Sequence, residues 1–263
     1  TGYFLHAPVL NPEIFLVTLG VLLQGSAASA LNQLQEKAID RKMKRTKNRP
    51  IPTGDISTIQ TNIFIFLTLI TGSLILYYSG NLLAMILGLF TLLWYNGIYT
   101  YFKRISAFAV IPGSLTGALP PVIGWTAAGG DPFAATSLAL AFIFFMGQVP
   151  HFWLLVIKYG DEYEKAGLPS LKIVFSDKQI NRLTFIWTVS SVFSALFLGL
   201  FEIIKSPVFK ILLLFLAITM IILFKDLLTF RKAMKTGKNH FLFLNLYFLL
   251  LMFILILDKI VSS

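Results

Sequence analysis

Three residues able to bind a metal ion recur at helical spacing where a strongly apolar segment ends. Asn32, Glu36 and Asp40 follow one another every four residues, so at about 100° per residue they stay within about 80° on one helix face. Charged groups in a membrane-embedded segment are costly and are usually functional. Their oxygens are hard ligands of the kind that Mg²⁺ uses, commonly together with a phosphorylated substrate.

A run of cations follows these carboxylates and is closed by two prolines, Pro50 and Pro52, which cannot continue a helix. Arginine binds phosphate oxygens through paired hydrogen bonds, and lysine adds a point charge. The alternative is a basic loop that sets membrane topology, with Glu36 and Asp40 as its ion-pair partners. The cations are Arg41, Lys42, Lys44, Arg45, Lys47 and Arg49.

A second acidic cluster lies in residues 148–171, which we interpret as an apolar helix end and the connection after it. The cluster comprises Asp161, Glu162 and Glu164, and by itself it is also typical of a solvated loop. His151 stands in the apolar part of the same stretch. An intramembrane histidine is a packing residue, a tetrapyrrole contact or a proton carrier, and the sequence leaves these three open.

Residues 96–104 supply a tyrosine and two cations near another helix end, because Tyr99, Lys103 and Arg104 stand at positions i, i+4 and i+5. Such a group is a candidate substrate contact, or an aromatic belt with a topology signal. The next apolar run, 106–128, is rich in glycine and proline. That composition is typical of a helix that lines a cavity or packs closely against its neighbours.

The composition predicts a polytopic membrane protein. Of the 263 residues, 56 % are hydrophobic and 14 % aromatic, and the mean hydropathy of +0.78 is outside the range of soluble proteins. The net charge of +10 falls in short loops between apolar runs, which argues for membrane topology and against nucleic acid as a partner. The absence of cysteine excludes disulfides and thiolate metal sites.

Eight apolar runs are long enough to span about 30 Å of hydrocarbon. We expect residues 1–8 to be the remainder of a further, largely missing first helix, which gives nine helices in a single all-α domain, 1–263. The eight runs are 13–38, 57–79, 81–101, 106–128, 133–157, 180–204, 208–229 and 240–260.

The distribution of positive charge predicts the topology. Apart from Lys205, Lys210 and Lys259, every lysine and arginine falls in alternate connections. By the positive-inside rule these connections are cytoplasmic, and they carry all the candidate site residues except those inside helices. The cation-rich connections are 37–49, 103–104, 158–182 and 225–238.

Five motifs in order resemble the UbiA superfamily of intramembrane prenyltransferases, and within it the protoheme IX farnesyltransferase (heme O synthase) branch. The first runs from Asn32 to Pro50, where the extension M-x-R-T-x-x-R-P is similar to the heme branch. The other four are YTYFKR at 99–104, GALPPVIGW at 117–125, PHFW at 150–153 and DEYEKAGLP at 161–169.

The resemblance implies nine transmembrane helices around a central cavity and an Mg²⁺-dependent enzyme. It assigns catalytic roles to Asn32, Glu36, Asp40 and Asp161. The first three would hold one Mg²⁺, and Asp161 would assist at a second ion together with Glu162. It assigns binding of the diphosphate to Arg45, Arg49, Lys103 and Arg104.

The heme branch implies transfer of a farnesyl group from farnesyl diphosphate to a vinyl group of protoheme IX (heme B). The product is heme O, on the route to heme A. His151 and Tyr99 are then candidate heme contacts, a heme A synthase is a candidate partner, and the location is the inner (cell) membrane. The rival interpretations are prenyl transfer to an aromatic quinone precursor or a lipid, and a transporter with broken helices.

Two positions depart from the pattern of the superfamily. Glu36 stands where aspartate is usual, and its extra methylene moves the carboxylate outward. Lys165 stands four residues after Asp161, where many relatives have a second carboxylate. We therefore expect the first metal site to be better formed than the second.

Overall fold

The computed structural model describes residues 1–229 and 233–262, and for residues 229 and 233–238 it describes the backbone alone. Arg231 and Lys232, which belong to the fourth predicted basic connection, lie outside the described residues. Seven helices in the described ranges are long and apolar enough to cross a membrane, which confirms the all-α, polytopic prediction. They are Pro12–Gln35, Thr58–Ser79, Leu82–Phe102, Ala135–Lys165, Asp177–Leu200, Pro207–Leu228 and Asn239–Val261.

The helical elements follow one another along the chain with short connections. A π-helical turn, Trp94–Tyr99, follows the helix Leu82–Leu93, and a 3₁₀ turn, Leu171–Ile173, precedes the helix Asp177–Leu200. The α-helices are α1 (Gly2–His6), α2 (Pro12–Gln35), α3 (Lys37–Asp40), α4 (Pro50–Thr53), α5 (Thr58–Ser79), α6 (Leu82–Leu93), α7 (Thr100–Phe102), α8 (Val110–Gly113), α9 (Leu115–Ala127), α10 (Ala135–Lys165), α11 (Asp177–Leu200), α12 (Pro207–Phe224), α13 (Asp226–Thr229) and α14 (Ala233–Val261).

One predicted span, 106–128, is not a continuous helix. It consists of α8 and α9, which are interrupted at Ser114, and α9 has 13 residues with Pro120 and Pro121 inside it. Proline lacks the backbone N–H of the helix ladder and its ring crowds the preceding turn, so a regular helix of membrane length does not form here. The predicted count of nine spanning helices is accordingly not confirmed.

Helix α10 is longer than the sequence predicted. It runs from Ala135 to Lys165 with Pro150 inside it, whereas we expected the span to end near residue 157. The prediction that the second acidic cluster lies in a connection is therefore wrong, because Asp161, Glu162 and Glu164 lie on the last turns of the helix. A run of polar residues does not end a helix when tertiary packing continues to support it.

Close packing of α2 against α5 organises the first half of the bundle. A side chain at Gly20 would come within 2.9 Å of the Leu76 side chain, and one at Gly72 within 2.9 Å of the Gly20 carbonyl oxygen. Small residues thus let the two backbones approach, which is the usual basis of helix association in a membrane. Helices α6 and α9 complete this half, and α1 packs against α9.

Helices α10, α11, α12 and α14 form the second half around an apolar core that includes Leu140, Val192, Leu213 and Leu251. Near the end of α14 the buried carboxylate of Asp258 accepts hydrogen bonds from two backbone N–H groups at the start of α12. These are the N–H groups of Lys205 at 3.0 Å and Ser206 at 2.8 Å. Both groups lie immediately before Pro207, the first residue of α12.

Candidate active site

The first acidic motif lies at the point where α2 gives way to α3. The helix bends at Glu36, yet the Glu36 N–H donates to the Asn32 carbonyl at 2.9 Å and the Asp40 N–H donates to the Glu36 carbonyl at 2.8 Å. The four-residue spacing therefore survives the bend. Asn32, Glu36 and Asp40 have exposed fractions of 7 %, 7 % and 4 %, so the structure buries the three residues that the spacing had placed on one face.

Each buried carboxylate has one cationic partner. Lys103 Nζ lies 2.6 Å from Glu36 Oε2, and Arg49 Nη1 lies 2.9 Å from Asp40 Oδ2. Burial lowers the pKa of the Lys103 amine from its ordinary value, while the charges of Glu36 and Asp40 oppose that shift. Two cations predicted to bind a diphosphate are thus adjacent to the predicted metal ligands.

A π-helical turn braces this motif from the neighbouring helix. Asn96 Nδ2 donates to the Ala28 carbonyl at 3.0 Å and to Gln35 Oε1 at 3.1 Å, and Gln35 Nε2 donates to the Asn96 carbonyl at 3.1 Å. Asn32 Nδ2 donates to Thr100 Oγ1 at 3.0 Å. Single π-helical turns occur frequently at functional sites, and this one fixes the end of α2.

Arg45 connects the first motif to α10. Its backbone N–H lies 3.4 Å from Glu162 Oε2, its guanidinium Nη2 lies 3.4 Å from the Tyr163 hydroxyl, and the guanidinium lies over the Tyr159 ring at 5.5 Å. Arg104 instead donates from Nη2 to the Gln35 carbonyl at 2.9 Å. The four predicted diphosphate-binding cations therefore all border the C-terminal end of α2 or the loop after it.

The two acidic residues predicted to assist a second ion point in different directions. Glu162 faces the first motif through Arg45. Asp161 is 77 % exposed and pairs with Lys172 Nζ at 2.6 Å, a hydrogen bond that raises the pKa of Lys172. Within residues 1–229 and 233–262, apart from the side chains not described, no group of three or more His, Cys, Asp or Glu residues is positioned to hold a metal ion.

Tyr99 and His151, the candidate heme contacts, occupy different places. Tyr99 is buried, stacks on Tyr95 with ring centroids 5.6 Å apart, and lies beneath Lys103 Nζ at 5.3 Å. His151 instead packs against α14, with its ring centroid 4.6 Å from that of Phe241. The structure thus brings Tyr99 to the first acidic motif and leaves His151 beside the second half of the bundle.

An apolar cavity of about 240 Å³ lies between α2, α6 and α9, directly below the first motif. Tyr95, in the π-helical turn that braces the first motif, lines this cavity. Below Tyr95 the α2 wall is formed by small residues, Gly25, Ala28 and Ser29. The charged first motif begins one helical turn after Ser29, and a charged site next to an apolar cavity suits a substrate with a charged head and a hydrocarbon tail.

The side-chain oxygen atoms of the first acidic motif are suitable ligands for Mg²⁺. Glu36 Oε1 is buried without a hydrogen-bond partner, and Asn32 leaves its amide oxygen available because it uses Nδ2 to bond Thr100. Mg²⁺ is commonly held by one or two carboxylates, with phosphate oxygens and water completing its shell. Asn32, Glu36 and Asp40 provide such a partial set.

Sequence reasoning missed the residues that brace and extend the site. The bracing residues could have been found because they are polar side chains within apolar helices. A polar side chain in a membrane needs a hydrogen-bond partner. No local sequence pattern indicated that Tyr163 would contact Arg45 or that Lys172 would form an ion pair with Asp161. The residues are Gln35, Tyr95, Asn96, Thr100, Tyr163 and Lys172.

A sequence model of the UbiA prenyltransferase family matches residues 1–256. The chain belongs to the UbiA prenyltransferase family. This UbiA-family member is accordingly a prenyltransferase and an integral, multi-pass membrane protein, as the motifs and the spanning helices predicted.

Several curated relatives bear the name protoheme IX farnesyltransferase. That of Oleidesulfovibrio alaskensis is 32 % identical over 262 residues, which is 100 % of this chain and 90 % of the relative. That of Nitratidesulfovibrio vulgaris is 30 % identical over 231 residues, covering 88 % of this chain and 80 % of the relative. That of Geobacter sulfurreducens is 40 % identical over 168 residues, covering 64 % of this chain and 62 % of the relative.

Solved structures share the fold at low sequence identity. A structure described as digeranylgeranylglyceryl phosphate synthase aligns with a TM-score of 0.78 at 18 % identity, covering 98 % of this chain and 90 % of that one. A UbiA homolog from Archaeoglobus fulgidus bound to GPP and Mg²⁺ aligns with a TM-score of 0.68 at 14 % identity, covering 99 % and 91 %. The UbiA-like fold is thereby confirmed.

Proposed function

We propose that this prenyltransferase moves a farnesyl group from farnesyl diphosphate to a vinyl group of protoheme IX, giving heme O on the route to heme A. The acceptor is supported by the full-length similarity to protoheme IX farnesyltransferase. The observation that carries the donor half is the pair of buried carboxylates, each with its own cation, in a motif that begins one helical turn after Ser29, a residue of the cavity wall.

Asn32, Glu36 and Asp40 would hold Mg²⁺, and Glu162 or Asp161 would assist at a second ion. The Archaeoglobus fulgidus homolog bound to GPP and Mg²⁺ supports this choice of ion. When bound, Mg²⁺ supplies positive charge that stabilises the diphosphate as a leaving group.

The protein's own cations prepare the site for the diphosphate. Lys103 and Arg49 neutralise the buried carboxylates in the free protein, and Arg45 and Arg104 lie beside them. An incoming diphosphate would accept hydrogen bonds from these groups. Fixed charges of this kind favour heterolysis of the allylic C–O bond, which leaves pyrophosphate and a farnesyl cation.

The cavity protects the cation until the acceptor reacts. Its walls are largely apolar, so water is kept from the cation, and the aromatic ring of Tyr95, which lines the cavity, would attract the cation electrostatically. The electrons of the heme vinyl group would then form the new C–C bond. Water adds to the resulting cation and loses a proton, which gives a hydroxyethylfarnesyl side chain.

The acceptor would approach from the membrane, with Tyr99 and His151 as candidate contacts. We place the site on the cytoplasmic face of the inner membrane because the basic connections surround it. A heme A synthase is the candidate partner that would consume the product.

The test uses the full-length protein in detergent with farnesyl diphosphate, heme B and Mg²⁺, and mass spectrometry detects a farnesylated, hydrated heme. We expect the product to disappear with Asp40→Asn and on chelation of Mg²⁺. Asp55→Asn is the matched control, because Asp55 is an exposed acid in the same loop and its loss should leave turnover intact.

A separate result of this assay would contradict heme as the acceptor. If the wild-type protein forms no heme product, yet releases pyrophosphate with an aromatic quinone precursor or a lipid acceptor, the heme proposal is wrong. The prenyltransferase chemistry would then still depend on Asp40.

A further inference from the structure

A polar residue lines the part of the cavity farthest from the first acidic motif. Gln24 lines that end together with Val21 and Gly88, while Ser29 and Tyr95 line the end near the carboxylates. Below Gln24 an apolar cluster, whose members include Val17, Leu76 and Ala84, fills the space between the helices. A hydrocarbon chain that enters from the side of the first acidic motif would therefore meet Gln24 before it reaches the packed core.

Two contacts fix the Gln24 amide in this position. Gln24 is 4 % exposed, and its Nε2 donates to Ser73 Oγ on α5 at 2.9 Å. Its Oε1 occupies the position that a Cβ atom would take at residue 88. Glycine at 88 thus leaves room for the amide, and the bond to Ser73 prevents the side chain from swinging aside without loss of a buried hydrogen bond.

The depth of the cavity can be compared with isoprenyl chains of different length. Gln24 is eight residues before Asn32 and twelve before Glu36, so at about 1.5 Å per residue it lies roughly 12 to 18 Å below the motif. With single bonds of about 1.5 Å, the extended main chain measures roughly 9 Å for geranyl, 14 Å for farnesyl and 19 Å for geranylgeranyl. A fifteen-carbon chain fills this depth, and a twenty-carbon chain exceeds it.

We infer that Gln24, held by Ser73 across Gly88, is the stop that sets the isoprenyl chain length of the donor. This inference rests on the proposed function for the position of the diphosphate, and it adds a residue that determines specificity. The amide limits length by its volume and its fixed position, so a smaller side chain at 24 should deepen the cavity.

The experiment measures the dissociation constants of geranyl, farnesyl and geranylgeranyl diphosphate by calorimetry, with Mg²⁺ and without heme. We expect the wild-type protein to bind farnesyl diphosphate at least tenfold more tightly than geranylgeranyl diphosphate. Gln24→Ala should reduce that ratio to about threefold or less, whereas Gln24→Met, which keeps the volume but loses the hydrogen bond to Ser73, should give a ratio between those of Gln24→Ala and the wild type.

A second variant tests the effect of a shallower cavity. Nothing lies within 4 Å of a Cβ atom built at Gly25, and Gly25 lines the cavity next to Gln24. Gly25→Leu should therefore fill the cavity without disturbing the helix. We expect it to weaken farnesyl diphosphate binding at least tenfold and to leave geranyl diphosphate within about threefold of wild type.

The outcomes separate this inference from the proposed function. Equal ratios in wild type and Gln24→Ala overturn the chain-length stop, whatever the acceptor. The expected binding pattern without a heme product supports the stop and removes the heme acceptor. Failure of all three donors to bind overturns both.

Discussion

At the scale of single residues, the site is defined by buried charges that are already paired. Glu36 and Asp40 are almost fully buried, and each has one cation within 2.9 Å. An ion pair of this kind contributes little net stability, but removal of one partner leaves a buried charge uncompensated. Each cation therefore balances the charge of one carboxylate at the site that we expect to bind a metal ion.

Replacing Lys103 tests this role directly. We expect Lys103→Met to lower kcat/KM for farnesyl diphosphate about a hundredfold, because loss of a buried charge partner costs about 3 kcal/mol and each 1.36 kcal/mol is a factor of ten. Pyrophosphate release measures the effect.

The matched control is Lys47→Met, which removes an exposed cation from the basic loop and should change kcat/KM by less than about threefold. Lys103→Arg should retain more activity than Lys103→Met. Equal activity of the wild type and Lys103→Met would show that the charge of Lys103 has no part in catalysis.

The second acidic motif illustrates why neighbouring residues need not share a role. Asp161 and Glu162 are adjacent, but on a helix adjacent side chains point about 100° apart. One therefore faces Lys172 and the other faces Arg45. The role of these two residues at a second ion remains a prediction.

At the scale of elements, irregular backbone rather than regular helix positions the site. The bend at Glu36 and the π-helical turn Trp94–Tyr99 face each other. Their polar groups pair across the interface, where lipid would offer no alternative partners. The amide of Asn96 joins α2 to this turn through Ala28 and Gln35.

Removal of that amide should loosen both elements. We expect Asn96→Ala to destabilise the protein by about 2 kcal/mol, since it leaves buried polar groups without partners. For a chain of this size that corresponds to a fall in melting temperature of roughly 4 to 8 °C.

Thermal unfolding in detergent measures this fall, and hydrogen exchange should show faster opening of residues 94–100. Asn48→Ala, in the exposed basic loop, is the control and should leave the melting temperature within about 1 °C, as surface substitutions usually do. An unchanged melting temperature for Asn96→Ala would mean that other contacts hold the π-helical turn.

At the scale of the whole molecule, two groups of helices meet at the site. Helices α2, α5, α6 and α9 carry the first acidic motif and the cavity, and α10 brings Glu162 and Tyr163 from the other group. The contact through Arg45 thus places both acidic motifs on one face of the bundle, as the alternation of basic connections predicted.

The absence of cysteine makes this topology directly testable. We expect an impermeant maleimide added to intact cells to label Asp131→Cys and not Lys47→Cys, because the basic connections are cytoplasmic. Both positions are exposed, and permeabilised cells should show labelling of both. Labelling of Lys47→Cys in intact cells would reverse the orientation of the site.

The sequence by itself determined the properties that depend on composition and on local spacing. Mean hydropathy and apolar run length established the membrane bundle, and the four-residue spacing of Asn32, Glu36 and Asp40 survived the bend in the helix because hydrogen bonds four residues apart continue through it. Five ordered motifs were enough to indicate the family.

Only the tertiary structure decided which groups meet. The pairing of Glu36 with Lys103 joins residues 67 positions apart, and the contact of Arg45 with Tyr163 joins residues 118 positions apart. Helical periodicity carries no information over such separations. The broken span at Ser114 and the depth of the cavity above Gln24 likewise follow from how the helices pack, which no local pattern specifies.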